Sequence, residues 1–231
     1  MSKTVLAVIP ARGGSKGIPG KNMIDIGGRP LIDYTIQTIH QSNKISKVIV
    51  STDSIEIGDY CQKRGVNFPF IRPKELSGDK AKSIDVVIHT LNWCRDHGEN
   101  FDFILLLQPT TPFRNANFID SAIEQLVESN KNCLISVKPV PHEYNPNWQF
   151  RILDGERGIT SYEDKIISRR QDLSLTYVRD GGIYLVRVNF LLKMKSFFDD
   201  EMEFIVNNDH PPINLDTLND LAIARNYVSK S

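Results

Sequence analysis

The sequence predicts an α/β fold of the open kind, built from βαβ units with parallel strands. Three observations predict it. Short apolar runs alternate with longer segments of helical period along much of the 231 residues, which is the sequence form of repeated βαβ units. The first apolar run, Val5 to Ile9, leads straight into a glycine-rich loop, "IPARGGSKGIPGKN" (9–22). The strongest run, "FDFILLLQPT" (101–110), reads as a buried strand between two helical segments.

Taken in order, Val5 to Ile9 reads as a buried parallel strand. Leu31 to His40 follows as a helix, with Leu31, Ile32, Ile36 and Ile39 spaced for one buried face. "KVIVST" (47–52) is the second strand, and Ile55 to Arg64 the second helix, ending at Gly65. "VNFPFIR" (66–72) is a short extended segment. "SIDVVIHTLNWCRD" (83–96) is an amphipathic helix stopped by "HGEN". After the strand at 101–110 come a helix, "ANFIDSAIEQLVES" (116–129), and a strand, "NCLISVK" (132–138). Beyond Pro139 prolines, aromatics and turn residues replace the periodic pattern. Residues 139–175 therefore read as an irregular or β-rich insertion with a hairpin around "DGERG". "GGIYLVRV" (181–188) returns to strand, "MEFIV" (202–206) is another, and "DTLNDLAIARNYV" (216–228) closes the chain as a helix. Without repeats or low-complexity tracts, residues 1–231 read as a single domain with one excursion.

Composition narrows the function classes. The 28 basic residues balance 28 acidic ones, so the basic excess that usually marks a nucleic-acid or anionic-membrane partner is missing. Cys61, Cys94 and Cys133 are far apart and odd in number, which suits buried reduced thiols better than a disulfide framework or metal site. No run approaches the roughly 18 apolar residues of a membrane span. The chain reads as a cytoplasmic protein.

The loop after the first strand concentrates the chemistry. It holds four glycines, two lysines and an arginine within 14 residues. In an open α/β sheet such a loop lies at the carboxyl ends of the strands, where ligands bind. Glycines let backbone N–H groups turn toward a ligand, and Arg12, Lys16 and Lys21 add positive charge suited to phosphates. A Walker A loop does not fit: "SKGIPGKN" has Ser15 at its first glycine position and Asn22 at its hydroxyl position. The dinucleotide fingerprint G-x-G-x-x-G does not occur in the loop either.

The loop does resemble the signature of the acylneuraminate cytidylyltransferases, the CMP–sialic acid synthetase family. Three further segments resemble that family in the same order: "RPKELSGDKAKSI" (72–84), "LLQPTTPFR" (106–114) and "RRQDL…GGIYL…FF…LDT" (169–217). The Kdo cytidylyltransferases share the fold but have a different loop and lack the "LLQPTTPFR" block. The resemblance implies a Rossmann-like nucleotidyltransferase fold, its sheet mixed but mostly parallel, with an insertion used for dimerisation. It also implies Mg²⁺-assisted transfer of CMP from CTP to the anomeric hydroxyl of a nine-carbon 2-keto acid sugar, with release of pyrophosphate. Such in-line transfer at the α-phosphate rests on positioning and charge neutralisation.

Carried over residue by residue, the resemblance assigns catalysis to Arg12, Lys21 and Asp216, with Lys21 stabilising the leaving pyrophosphate. Ala11, Arg12, Ser15, Lys16 and Lys21 would hold the nucleotide. So would Asn22 and Arg72 at the base and ribose, and Ala81, Lys82 and Ser83 at a helix start. Gln108, Thr110, Arg170, Asp180, Tyr184, Phe197 and Phe198 would hold the sugar, Arg170 by a bidentate clamp on its carboxylate. Each residue type has a plainer reading too: Ser83 and Asp216 also suit helix N-caps, and the Phe197–Phe198 pair suits a core. Asp216 is the expected Mg²⁺ ligand. The insertion would reach a second copy, making a homodimer in which Arg170 serves the neighbour's pocket.

The sequence departs from the family's pattern at several places. Asn214 stands where a second aspartate is usual, which questions a two-metal scheme. Arg179 and Asp180 replace a proline–asparagine pair, and Asp180 on the sugar side favours an amino-bearing, legionaminic-type substrate. Lys82 replaces a small polar residue. His89 and His210 are not expected to act as bases or ligands. The rival readings are a cytidylyltransferase for another keto-sugar acid, such as pseudaminic acid or Kdo, and a catalytically silent nucleotide-binding homologue.

Overall fold

The computed structural model describes residues 3–153, 156–160, 167–208, 211 and 213–230. Its centre is a six-stranded sheet. In chain order the strands are β1 (Val5–Pro10), β2 (Lys47–Ser51), β3 (Phe103–Leu106), β4 (Cys133–Pro139), β7 (Tyr177–Arg187) and β8 (Glu203–Val206). The insertion contributes β5 (Arg151–Leu153) and β6 (Glu156–Thr160), an antiparallel pair of their own. This pair lies where the hairpin around "DGERG" was expected; residues 154–155 lie outside the described residues.

The sheet order is β2-β1-β3-β7-β4-β8. All neighbouring pairs are parallel except the two made by β7, which runs against both β3 and β4. The strand expected to begin at the twin glycines begins four residues earlier, at Tyr177. The reason is a bulge. Ile135 pairs with Tyr184 while Val137 pairs with Arg179, so β7 carries extra residues at Asp180–Ile183 and resumes pairing beyond them. Gly181 takes φ +79° there, a conformation open to glycine at little cost.

The helices are α1 (Leu31–His40), α2 (Ile55–Lys63), α3 (Ser83–Asp96), α4 (Ala116–Glu128), α5 (Val188–Met194) and α6 (Leu218–Val228). Alternate residues of the central strands face opposite layers. Val5, Ala7, Ile9, Phe103 and Leu105 pack with α1, α2 and α4 through Ile32, Ile36, Ile57, Ile119 and Ile123. Leu6, Val8, Ile104 and Leu106 pack with α3 and α5 through Val87, Leu91 and Leu191. Burial on both faces explains why these strands read as continuous apolar runs. The short helix α5 has no counterpart in the sequence reading, because its seven residues are too few to show a period. The segment "VNFPFIR" is extended beside β2, with isolated bridges from Asn67 to Ile49 and from Ile71 to Thr52 just past the strand's end. All three cysteines are buried and free. Among the described residues no helix is long and apolar enough to cross a membrane.

A third cluster lies at the edge of the core and carries the site. Ile18 from the glycine-rich loop, Leu31 and Tyr34 from α1, Leu215, and Leu221 and Ala224 from α6 are all buried together. The loop and the chain around Asp216, remote in sequence, share this anchor.

Candidate active site

Two cavities open at the carboxyl ends of the parallel strands. The first, about 220 Å³, is lined by Arg12, Ser15, Lys21, Asn22, Arg72, Ala81, Ser83, Gln108 and Thr110, together with Asp79. The second, about 710 Å³, is lined by Asp180, Tyr184, Phe197, Phe198 and Asn214, and again by Ser83 and Gln108. The sequence reading placed a nucleotide group and a sugar group in these segments. The structure gathers most of each into one cavity and joins the cavities at the Ser83–Gln108 pair, whose Oγ and Nε2 lie 3.4 Å apart.

The loop is held by its neighbours. Asn22 is buried and donates through Nδ2 to the Arg12 carbonyl at 2.9 Å. Asp53, just past the end of β2, accepts from the Gly13 N–H at 2.8 Å and lies 3.8 Å from Arg72. Arg72 is only 4% exposed, and its Nε and Nη2 have no hydrogen-bond partner. Burial lowers its pKa, with Asp53 partly opposing the shift. A buried guanidinium with unsatisfied donors beside a cavity is suited to an anionic or carbonyl-bearing ligand.

Lys21 reaches out of the loop to the far end of the chain. Its Nζ donates to the Leu215 carbonyl at 2.8 Å and to Asp216 Oδ1 at 3.0 Å. Asn214 Nδ2 donates to the other Asp216 oxygen at 2.7 Å. Leu215 is fully buried, and its N–H donates to the Thr110 carbonyl at 2.8 Å. One residue thus pins the segment both to the turn after β3 and to the loop lysine. Asp216 itself stays accessible, its side chain 62% exposed.

The wall of the second cavity is the bulge in β7. The buried Asp180 carboxylate accepts from Ser136 Oγ, from the Gly182 N–H at 2.9 Å and from Asn207 Nδ2 at 2.7 Å. Tyr184 packs against both Phe197 and Phe198, with ring centroids 5.9 and 6.2 Å away. Its burial raises the phenol pKa.

Some expectations need correction, and for others the structure gives only the placement. Ser83 is not the N-cap of α3: Lys82 holds that position without a side-chain bond, and Ser83 is the first helical residue. Asp216 is not the N-cap of α6, a role taken by Thr217 in a reciprocal capping box with Asp220. Asp180 lines the second cavity, but three donors of the chain already engage its carboxylate, so it gives no reason to expect an amino-bearing sugar. Ala11 is fully buried, its N–H bonded to the Ser51 carbonyl at 3.0 Å; it lines neither of the two cavities. Lys82 is exposed outside the first cavity's lining; Lys16 is exposed as well, but its Nζ lies 2.8 Å from Asp79 on that lining, within reach of a ligand there. Arg170 is exposed in a short turn and lines neither cavity of its own chain. His89 packs edge-on against Phe70, and burial lowers its pKa; His210 lies outside the described residues.

The sequence reading missed Asp53, Asp79 and Arg114. Asp53 had a positional signal, since it follows an apolar run at a strand's carboxyl end. Arg114 closes the block "LLQPTTPFR" and is 7% exposed. Its Nη2 donates to the Gln108 and Thr111 carbonyls, fixing the turn that bears both cavities' shared residue. Burial lowers its pKa to about 10, with Asp180 opposing the shift.

Solved structures share this open α/β fold. The synthetase of CMP:2-keto-3-deoxy-manno-octonic acid, complexed with CTP, superposes with a TM-score of 0.72 at 17% identity, covering 99% of each chain. The 4-diphosphocytidyl-2C-methyl-D-erythritol synthase of Anaerococcus prevotii gives 0.62 at 15% identity, covering 99% of this chain and 97% of its own. Residues 6–225 match the cytidylyltransferase family, and the chain belongs to it. It is similar to the CMP-N,N'-diacetyllegionaminic acid synthase of Legionella pneumophila, at 34% identity over 97% of this chain and 96% of that one. It is similar also to a pseudaminic acid cytidylyltransferase of Campylobacter jejuni, at 31% over 95% and 94%. An N-acylneuraminate cytidylyltransferase of Escherichia coli is 34% identical over 86% of this chain, which spans 46% of that longer protein.

Proposed function

We propose that this chain transfers CMP from CTP to the anomeric hydroxyl of a nine-carbon 2-keto acid sugar in the cytoplasm. The observation that carries the reading is the meeting of a cation-lined cavity and an aromatic-walled cavity at Ser83 and Gln108. The first suits a nucleoside triphosphate: Arg12 and Lys21 face the phosphates, Asn22 and Arg72 the base and ribose, and the N-terminus of α3 adds its dipole. The second suits a sugar acid, whose apolar faces and N-acyl groups would lie against Tyr184 and Phe198. Gln108 sits between them, where the α-phosphate and the anomeric hydroxyl must meet.

In this reading Lys21 neutralises charge that develops on the departing pyrophosphate. Asp216 would hold Mg²⁺, which supplies further neutralisation of the phosphates. An exposed carboxylate beside the Asn214 amide offers hard oxygen donors, and Mg²⁺ completes its shell with water and phosphate oxygens. Among the described residues no group of three or more His, Cys, Asp or Glu could hold a metal, so the ligand set would be sparse and dependent on the nucleotide.

The protein would act as a homodimer. Tyr144, Leu175, Tyr177 and Val178, in and beside the insertion, are exposed, and apolar side chains in such a group suit an interface. Arg170, on the same excursion, would clamp the sugar carboxylate in the neighbour's cavity. Mixing Arg170→Ala with Lys21→Ala subunits would then restore part of the activity that each lacks alone.

The deciding experiment is pyrophosphate release from CTP and Mg²⁺ with N-acetylneuraminate, a legionaminic acid, a pseudaminic acid and Kdo. Release with one nine-carbon acid supports the reading and names the sugar, and the similarity to the Legionella synthase favours the legionaminic type. Binding of CTP without turnover on any of the four would refute it in favour of a silent homologue.

A further inference from the structure

Asp79 lies on the lining of the first cavity, and loop cations take both of its carboxylate oxygens. Oδ1 accepts from Arg12 Nη1 at 2.7 Å, and Oδ2 lies 2.8 Å from Lys16 Nζ. Its carboxyl is held below the usual carboxylate range, first by the Lys16 hydrogen bond and then by that of Arg12. The third loop cation, Lys21, is matched in the same way by Asp216. Every cation of the glycine-rich loop is therefore paired with a carboxylate of the chain.

A phosphate that engages Arg12 and Lys16 must take the place of Asp79 at both. Pyrophosphate and a triphosphate have the charge and the number of oxygens to do so, and a bare nucleoside has neither. The geometry also lets the carboxylate withdraw. Asp79 stands in a turn closed by the Ala81 N–H to the Gly78 carbonyl at 3.0 Å, and this turn lies ahead of α3, outside the helix.

We propose that Asp79 is a specificity-determining residue: an internal anion that competes with a ligand's phosphates for Arg12 and Lys16. It sets a threshold of phosphate charge for binding, and it re-forms its ion pairs as pyrophosphate leaves. The proposal rests on the reading of the first cavity as a phosphate site. Exposed ion pairs are individually weak, so removing the competitor gains a modest factor, roughly two- to ten-fold.

The test is calorimetric titration of inorganic pyrophosphate, CTP and cytidine into the full chain and into Asp79→Asn, at low salt with divalent metals chelated. The expected result is tighter binding of pyrophosphate and CTP to Asp79→Asn by that factor, with cytidine unchanged and the gain shrinking as salt rises. Asp79→Ser removes the same charge with a different side chain and should reproduce the gain. Unchanged or weaker pyrophosphate binding in the folded variants overturns the proposal, as does a gain in only one of them. Tighter pyrophosphate binding with no binding of CTP or cytidine to any form supports it, and refutes the cytidylyl reading instead.

Discussion

Lys21 and Asp216 are 195 positions apart in the sequence, and Lys21 Nζ donates to Asp216 Oδ1 at 3.0 Å. The pair joins the glycine-rich loop to the segment before α6. The lysine side chain is only 14% exposed, whereas that of the aspartate is 62% exposed. Lys21→Ala should therefore remove a held charge and lower kcat by about a hundred-fold or more. Steady-state pyrophosphate release on the folded variant reads this directly, and an unchanged kcat would take Lys21 out of the mechanism.

Asn214 donates to Asp216 at 2.7 Å, so an aspartate there would put two carboxylates in direct contact. Asn214→Asp should tighten the apparent Mg²⁺ affinity of the reaction, because like charges at that distance favour a bound cation. Asp216→Ala should abolish Mg²⁺-dependent turnover with the fold kept. The check is a Mg²⁺ titration of initial rates on all three proteins; identical curves for Asn214→Asp and the native chain would place residue 214 away from the metal.

Gly17 touches the same segment from the loop side. A Cβ built on it would stand 2.3 Å from the Asp216 carbonyl oxygen, and that neighbour is backbone. Gly17→Ala must push the loop away from Asp216, so kcat should fall well below the native value. The strands are untouched, and Tm should move by only a few degrees. Full activity in Gly17→Ala would show that the approach of loop and segment is not needed.

Asp180 holds the bulge through Ser136, Gly182 and Asn207. Asp180→Ala takes the acceptor from the buried Ser136 hydroxyl and Gly182 N–H, at about 1–3 kcal/mol for an unsatisfied group. The deformed wall belongs to the second cavity, so KM for the sugar should rise several-fold with the Kd for CTP little changed. A parallel loss of CTP affinity would mean that the bulge supports both cavities.

The cap of α6 gives a pH-dependent prediction. The Asp220 carboxyl is held below its usual range, chiefly by the hydrogen bond from Thr217, with backbone N–H groups of Thr217 and Asp216 adding to it. A depressed folded pKa means stability that is present above the ordinary carboxylate pKa of about 4. It is lost as pH falls through the lower folded value. Thr217→Ala should cost about 1 kcal/mol near neutral pH and less in acid. Chemical denaturation at pH 7 and pH 3 measures both, and an equal cost at the two would exclude the carboxylate from the cap's contribution.

The sequence by itself determined the layers. Continuous apolar runs such as "FILL" and helical spacings such as Leu31, Ile32, Ile36 and Ile39 are local patterns, and the boundaries of α1 and α3 coincide with them. It also located the cationic loop, because glycine and charge are legible without knowing what lies opposite. Tertiary structure alone decided the partnerships. The reversed β7 and its bulge depend on which strands accept it as a neighbour, and no periodicity within "YVRDGGIY" records that choice. Asp53, Asp79 and Arg114 take their meaning from loop groups, cations and carbonyls brought to them by the fold. Asp180 read as a free carboxylate until Ser136 and Asn207, contributed by other parts of the chain, filled its lone pairs. A side chain's chemistry is written in its own letter, but whether that chemistry is spent inside the protein or offered to a ligand is set by neighbours that only folding supplies.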